Sequence, residues 1–266
     1  MSALTLTPVQ HIPLIRRDDN LADIVVNALQ ENDISLEDND ILVFAQKIIS
    51  KAEGRAINLA TITPSQRALE LAKQTEKDAR VVELILRESN EVLRTRVGAL
   101  IVEHKLGFVC ANAGIDHSNV SPSETSEVFG DFGSLSAEGW VLLLPENPDQ
   151  SAENIRRQIE EKTSKRIGIL IIDSHGRAWR NGTVGIAIGI SGLPGLEDLR
   201  GKPDLFGYKL QVTQVGVADE LAAAASLVMG QAAEGTPVVH VRGFPYPLRE
   251  SSLKELIRPK EQDLFR

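Results

Sequence analysis

Two short polar runs each follow directly on an apolar segment typical of a buried strand, and this pairing constrains the fold more than any other feature. The first run, 112–119, reads Asn-Ala-Gly-Ile-Asp-His-Ser-Asn and follows the apolar residues 106–110. The second, 173–177, reads Asp-Ser-His-Gly-Arg and follows 167–172. Oxygen donors at strand ends suit Mg²⁺ or Mn²⁺, which usually accompany phosphate. Turns use the same residue types, but two such runs in one chain make a site for a divalent ion and a nucleotide a competitive interpretation.

Helical and strand-like patterns alternate along the chain, which predicts a mixed α/β or α+β fold. We expect an alanine-rich helix over 217–229, because glycine follows it at the stop position. Other helices are predicted to begin at caps near Asp18 or Asp19, at 63–66, near Asp78 and at Ser151. Strands are predicted over 41–44, 141–144, 167–172 and 238–241, with a hairpin formed by 97–102 and 106–110.

The segment 184–191 alternates strictly between large and small residues. One face carries Val184, Ile186, Ile188 and Ile190, and the other carries Gly185, Ala187, Gly189 and Ser191. A strand with one bare face lets a ligand or another backbone approach closely. Packing of a helix or a second sheet on that face is an equally good interpretation. We find no dinucleotide fingerprint and no Walker sequence, so another loop must hold any phosphate.

Composition excludes several classes of protein. The formal net charge of −8 argues against a general nucleic-acid binder, and no apolar run is long enough to cross a bilayer. The single cysteine, Cys110, fits a reducing compartment, so we expect a cytoplasmic protein. The histidines are too scattered for a zinc site. His117 and His175 lie inside the polar runs, and we interpret both as exposed loop residues without a catalytic role.

Three further segments carry possible function. Residues 46–55 form a modest basic patch, in which Lys51 could contact phosphate as a point charge; a solvated surface is the ordinary alternative. The loop after the alanine-rich helix adds the oxygen donors Gln231 and Glu234, although alone it is simply a helix stop. The polar segment 121–139 is long for a loop, and it either gates the site or is a surface insertion.

These segments together resemble the coenzyme F420-0:L-glutamate ligases. The resemblance rests on 46–54 (QKIISKAEG), 112–119, 173–177 and the tail 256–259 (LIRP), and it extends over nearly the whole chain. It implies a GTP- and divalent-metal-dependent amide ligase that adds L-glutamate to a deazaflavin coenzyme. It also implies a family-specific mixed-sheet fold and an intertwined homodimer. Residues 1–266 would form one functional unit, with two subdomains as an alternative.

Position by position, the resemblance implies two sets of ligands. The metal, Mg²⁺ or Mn²⁺, would be held by Asp116, Asp173, Ser174 and Gln231, and a role for K⁺ stays open. The guanine nucleotide would contact Ile12, Pro13, Leu14, Ile15, Gln46, Lys47, Lys51, Asn119, Gly230, Ala232, Ala233, Glu234, Gly235, Thr236 and Pro237. Departures from the family pattern are His175, Ile172 and extra residues between Asn119 and Val141. These departures bear on the acceptor substrate more than on the metal.

The implied reaction is consistent with the residue types. A free carboxylate needs activation before it forms an amide, and transfer of the GTP γ-phosphoryl group would give an acyl phosphate that the glutamate amine attacks. Metal ions would neutralise the developing charge, so no covalent nucleophile is expected and no catalytic residue is assigned. One alternative is a nucleotide- and metal-dependent ligase or phosphotransferase acting on another carboxylate. Another is a nucleotide- or metal-binding protein without turnover.

Overall fold

The computed structural model describes residues 3–117 and 139–264. Asn119 and the loop predicted at 121–139, apart from Gly139, lie outside the described residues. In chain order the elements are β1 (Thr5–Pro8), α1 (Leu21–Glu31), β2 (Ile41–Ala45), α2 (Gln46–Ala52), β3 (Ala56–Asn58), α3 (Gln66–Thr75), α4 (Ala79–Arg87), β4 (Ser89–Arg96), β5 (Ala99–His104), β6 (Val109–Ala111), β7 (Trp140–Leu142), α5 (Pro148–Thr163), β8 (Gly168–Gly176), β9 (Thr183–Ser191), β10 (Glu197–Asp198), β11 (Gln214–Val215), α6 (Val217–Met229) and β12 (Val238–Arg242).

A five-stranded mixed sheet, in the order β1-β12-β2-β8-β9, organises the main body. Its central strands β2 and β8 run parallel, and the other neighbours pair antiparallel. The residues of β2 are apolar without alternation, as expected for a strand buried on both faces. The predicted mixed α/β fold is therefore confirmed.

Helices cover both faces of this sheet. Apolar residues of α1, α2 and α5 pack on the face that carries Leu42 and Phe44. The alanine-rich α6 packs on the opposite face, against Val43 and Leu170. A third core lies between α3, α4, β5 and β7, and it encloses the single cysteine. In the part of the chain that the structure describes, no helix is both long enough and apolar enough to span a membrane.

The predicted bounds of the alanine-rich helix and the predicted start near Asp78 are confirmed, whereas three predicted caps are wrong. The alanine-rich helix spans Val217–Met229, as predicted. The N-cap of α1 is Asn20, whose side chain accepts from two backbone N–H groups, and not Asp18 or Asp19. Similarly, Ser65 caps α3 in place of Thr63, and Asn147 caps α5 in place of Ser151. Several capping residues stand side by side at each of these starts, and only the backbone geometry selects one.

Of the two interpretations of the small residues on β9, close packing of a helix is confirmed, and they do not form one open face. The pairing of β8 with β9 shifts register between Ile171 and Ile172. Ile188 therefore joins the core under α5, whereas Ile190 joins the core under α6. Gly185 is covered by α6, since a Cβ there would lie 2.5 Å from the Ser226 Cβ. Gly189 is covered by Pro148 in the same way, so tight helix packing explains both glycines.

A buried ion network closes one end of β2. Asp40, just before the strand, is 1% exposed and accepts hydrogen bonds from His240 at 2.8 Å and from Arg242 at 2.7 Å. Both partners lie on the neighbouring strand β12, which pairs with β2. Burial alone would raise the pKa of the Asp40 carboxyl, but these donors outweigh it and hold the pKa at about 2. The network therefore ties two strands of the sheet together.

Candidate functional site

The candidate site lies at the opposite end of β2, where the parallel strands β2 and β8 finish. Ala45 pairs with Ile172, so Gln46 and Asp173 follow at the same edge of the sheet. In open α/β sheets, ligands bind at the carboxyl ends of parallel strands. The strand β8 is longer than the predicted 167–172 and continues through Gly176. The second polar run is therefore part of a strand and not a turn after one.

A cleft of about 630 Å³ opens at this edge. It is lined by segments that are far apart in sequence: the chain before α1, the start of α2, the end of β8 and the loop after α6. All nucleotide-binding residues predicted within the described ranges line it, namely Ile12, Pro13, Leu14, Ile15, Gln46, Lys47, Lys51, Gly230, Ala232, Ala233, Glu234, Gly235, Thr236 and Pro237. Asp173, Ser174 and Gln231 line the same cleft.

The loop after α6 is held in shape by its own hydrogen bonds. Gly230 has a positive φ of 74°, a conformation that glycine adopts without strain. The Glu234 carboxylate folds back and accepts from the Ala232 N–H at 2.8 Å. The Thr236 hydroxyl, which is buried, donates to the Met229 carbonyl at 2.9 Å. These hydrogen bonds give the loop a defined shape where it forms a wall of the cleft.

A second, smaller cleft of about 290 Å³ adjoins the first. The two clefts share Lys47, Asp173, Ser174 and Gln231. Asp116 lines the smaller cleft, so the structure brings the two predicted metal ligands Asp116 and Asp173 to one place although 57 positions separate them. The remaining lining residues are Ala111, Asn112, Gly114, Ile115, His175, Gly176 and Thr183.

Asp116 is poorly compensated for a half-buried carboxylate. Its position is fixed by reciprocal backbone hydrogen bonds with Leu142 at 3.0 and 2.9 Å. Gln46 Nε2 donates to Oδ2 at 2.8 Å, and Lys47 Nζ lies 3.5 Å from the same oxygen. Burial raises the pKa of Asp116 to about 6, Lys47 opposes this rise, and the nearby charge of Asp173 adds to it. Two carboxylates that repel each other at a cleft wall favour a bound cation.

The donor set fits a hard divalent cation. Ser174 Oγ donates to Gln231 Oε1 at 2.7 Å, and Gln231 Nε2 donates to Ser226 Oγ at 2.8 Å. The site therefore offers two carboxylates with neutral hydroxyl and amide oxygens, the ligands that Mg²⁺ and Mn²⁺ prefer. Within 3–117 and 139–264, no group of three or more His, Cys, Asp or Glu side chains is placed to hold a metal.

The interpretation of His175 as an exposed loop residue is wrong. Its side chain is 6% exposed and lies 5.4 Å from the Phe108 ring. Nε2 is 2.8 Å from Asp173 Oδ2, although its direction does not make a hydrogen bond, and among the described residues neither ring nitrogen has a hydrogen-bond partner. Strand geometry explains this position, because residues two apart share a face. His175 therefore limits the space into which the Asp173 carboxylate can turn.

Several lining residues were not predicted from the sequence. Ser226 and Met229 enter the larger cleft from the last turn of α6, and His117, which is exposed, joins them from the first polar run. The i, i+3 spacing of Ser226 and Met229 before Gly230 was the available signal. Gly176 and Thr183 were not predicted because they become neighbours only when β8 and β9 pair.

The fold and the site define a cleft lined by lysines and carboxylates at the end of a parallel strand pair, and comparison with known proteins identifies the family. The model of the family described as "F420-0:Gamma-glutamyl ligase" matches residues 10–243. That match covers most of the chain, and the protein belongs to this family. The resemblance inferred from the sequence motifs is therefore confirmed.

Relatives are similar along their full length. The chain is 45% identical over 265 residues to "Coenzyme F420:L-glutamate ligase" of Methanothermobacter thermautotrophicus, covering 99% of both chains. A protein of the same name from Methanocaldococcus jannaschii is 48% identical over 231 residues, covering 87% of this chain and 86% of the relative. The one from Methanopyrus kandleri is 41% identical over 273 residues and is covered completely.

Proposed function

We propose that this protein is a GTP-dependent ligase that joins L-glutamate to coenzyme F420-0 through an acyl-phosphate intermediate. Family membership and relatives named for this ligation support the acceptor and the amino acid. The observation that carries the mechanism is the pair of clefts that meet at Lys47, Asp173, Ser174 and Gln231. A phosphoryl donor in one cleft and a carboxylate acceptor in the other would face each other across these groups.

The larger cleft has the chemistry that a nucleoside triphosphate needs. Its walls are apolar at Ile12 and Pro13, which suits a base, and carry Lys47 and Lys51 on the side of α2, which suits phosphate. The protein's charge of −8 would otherwise repel a polyanion. The two lysines therefore supply the local positive field.

Asp116, Asp173, Ser174 and Gln231 would hold the divalent ion, which supplies charge neutralisation on the transferred phosphoryl group when bound. Gln46 donates to Asp116 and so orients its carboxylate. Lys47 Nζ lies 3.5 Å from Asp116 Oδ2, and the residue lines both clefts. From there it can stabilise negative charge on both the phosphoryl donor and the acceptor. Catalysis by these residues is positioning and electrostatics, so no covalent nucleophile is required.

A glutamate-ligation assay read by mass spectrometry tests the proposal. Purified protein with GTP, Mg²⁺ or Mn²⁺, F420-0 and L-glutamate is expected to give the amide and one phosphate per bond formed. Omission of either acceptor or amino acid should stop the formation of amide. If phosphate is released only with a different carboxylate, that carboxylate is the acceptor and the assignment of F420-0 is wrong. Tight GTP binding with no turnover on any acceptor would favour a binding protein.

We also propose a homodimer, which the family resemblance implies and an exposed apolar segment supports. The chain between β10 and β11 carries three large apolar side chains that are almost fully exposed: Leu205 at 97%, Phe206 at 95% and Val212 at 85%. Clustered apolar exposure of this kind marks interaction surfaces. Sedimentation at micromolar concentration should give about twice the chain mass of 29.0 kDa. A species of chain mass would contradict the dimer.

A further inference from the structure

We propose that the tip of the β8–β9 hairpin is the recognition element for the aromatic part of the acceptor, with Trp179 as a stacking surface and Arg180 as a counter-charge. This assignment rests on the proposed function, because it takes a flat, carboxylate-bearing acceptor as the ligand. The tip comprises residues 177–182, between the last residue of β8 and the first of β9.

The first argument is position. Gly176 and Thr183 pair with each other across the hairpin, and both line the smaller cleft. The tip therefore begins at the rim of that cleft. Along the same strand, the three residues from Asp173 to Gly176 span about 10 Å. A small molecule whose carboxylate reaches the metal-ligand end can thus have its rings at the hairpin tip.

The second argument is size. Sites that enclose a drug-sized ligand have volumes of roughly 300–1,000 Å³, and the smaller cleft, at about 290 Å³, falls just below that range. It can take a carboxylate and its neighbouring atoms, but not a fused tricyclic ring with its side chain as well. The ring system must then lie at the mouth of the cleft, where the hairpin tip stands.

The third argument is the chemistry of the tip. Trp179 is 88% exposed, which is unusual for the largest apolar side chain and leaves its ring face available. Its φ of 65° is a left-handed conformation that disfavours a bulky side chain. A strained backbone that exposes tryptophan to water works against stability. Such residues concentrate at ligand sites.

The fourth argument is charge. Arg177 and Arg180 stand on either side of Trp179 in the sequence, and both are exposed. Arg177 donates to the Gly182 carbonyl at 3.0 Å and so braces the turn. Arg180 is the cation that can meet the ligand. An anionic acceptor that approaches a protein of net charge −8 needs such a local field.

Binding and kinetics of tip variants test this assignment. Trp179→Ala is expected to raise the Kd of F420-0, measured by calorimetry without nucleotide or glutamate, about tenfold. The KM for F420-0 should rise in parallel, while the KM for GTP stays unchanged. Trp179→Phe keeps a flat ring and should recover most of the affinity. Arg180→Gln should raise the Kd about threefold, with an effect that shrinks as salt is added.

Matched controls come from exposed positions that are far from the hairpin tip in the sequence. Val97→Ala removes an exposed apolar side chain, and Arg67→Gln removes an exposed guanidinium; neither should change Kd or KM. If wild-type protein ligates glutamate while both tip variants keep wild-type Kd and KM, the assignment is overturned and the proposed function stands. If Trp179→Ala loses F420-0 binding but the wild-type protein forms no amide, the assignment of the tip stands and the proposed function is overturned. A Trp179→Ala protein that sediments at half the wild-type mass would make Trp179 a subunit contact and overturn the assignment.

Discussion

A carboxylate lies near each end of strand β2, buried at one end and half-buried at the other, and the surroundings shift their pKa values in opposite directions. At one end Asp40 receives hydrogen bonds from His240 and Arg242, and its pKa falls to about 2. At the other end Asp116 lies beside a second carboxylate, with Lys47 as a more distant cation, and its pKa rises to about 6. The ionised form of the same kind of group is stabilised by its partners at one end and is disfavoured at the other.

This difference predicts that stability depends on one end of β2 and the proposed function on the other, although the strand of five residues is only about 17 Å long. Removal of a fully paired buried carboxylate strongly destabilises the fold, because its partners lose a counter-charge. A carboxylate that repels a neighbouring carboxylate lowers the stability of the folded state. Four mutational or titration experiments can break or sharpen this contrast.

The largest effect is expected for Asp116→Asn. Because the amide cannot balance a divalent ion as the carboxylate does, ligase turnover should fall by at least about 100-fold. Circular dichroism and the melting temperature should stay at wild-type values or improve, since a repulsion with Asp173 is removed. A variant that keeps wild-type turnover at saturating Mg²⁺ would show that Asp116 is not a metal ligand.

Asp40→Asn should show the opposite behaviour. Loss of the charge weakens the hydrogen bond between Asp40 and His240 and leaves Arg242 with only the exposed Glu37 as a counter-charge among the described residues. We therefore expect the free energy of unfolding to fall by about 3 kcal/mol. Activity per folded molecule should be unchanged below the new melting temperature. Urea denaturation with an activity titration checks both halves. An equal loss of activity and stability would join the two ends of β2 into one functional unit.

The pH dependence of stability should have opposite signs at the two ends. The raised pKa of Asp116 gives stability that is present below about pH 4 and is lost as pH rises through about 6. The lowered pKa of Asp40 gives stability that is present above about pH 4 and is lost as pH falls through about 2. In EDTA, wild type should lose more stability than Asp116→Asn between pH 4.5 and 7, by on the order of 2 kcal/mol. Parallel curves would mean that Asp116 is not perturbed.

The smallest effect is expected for Lys51→Ala. The half-buried lysine lines the larger cleft, so its loss should raise the Kd for GTP roughly fivefold, with little change in melting temperature. Lys73→Ala, an exposed lysine on α3, is the matched control and should change neither quantity. Unaltered GTP affinity in calorimetry would return Lys51 to an ordinary surface role.

Local patterns predicted what depends on local physics. The helix Val217–Met229 was predictable to the residue, because alanine-rich periodicity and a glycine stop coincide. The motif resemblance predicted most residues that line the larger cleft. Without it, the residue types indicated only the basic patch with Lys51 and the loop with Gln231 and Glu234. Charge and hydrogen-bonding capacity are properties of the residue type, so they can be read from the sequence without knowledge of the fold.

Features that depend on partner strands were not predictable. Asp173, Ser174 and His175 have poor strand propensity, and only pairing with β9 makes them part of β8. The shift of register opposite Ile171 reversed the faces of β9, and no alternation in the sequence shows such a bulge. His175 was assigned to solvent for the same reason, because its burial comes from Phe108 on a different segment.

The close packing of Gly185 on α6 gives an expectation for directed evolution. A methyl group at that position would press on Ser226, whose hydroxyl accepts from Gln231 at the boundary of the two clefts. Helix α6 would have to shift, and the wall of the larger cleft would shift with it. A library screened for altered nucleotide preference should therefore yield hits at a glycine that lines neither cleft, and a search confined to ligand-contacting positions would not sample them.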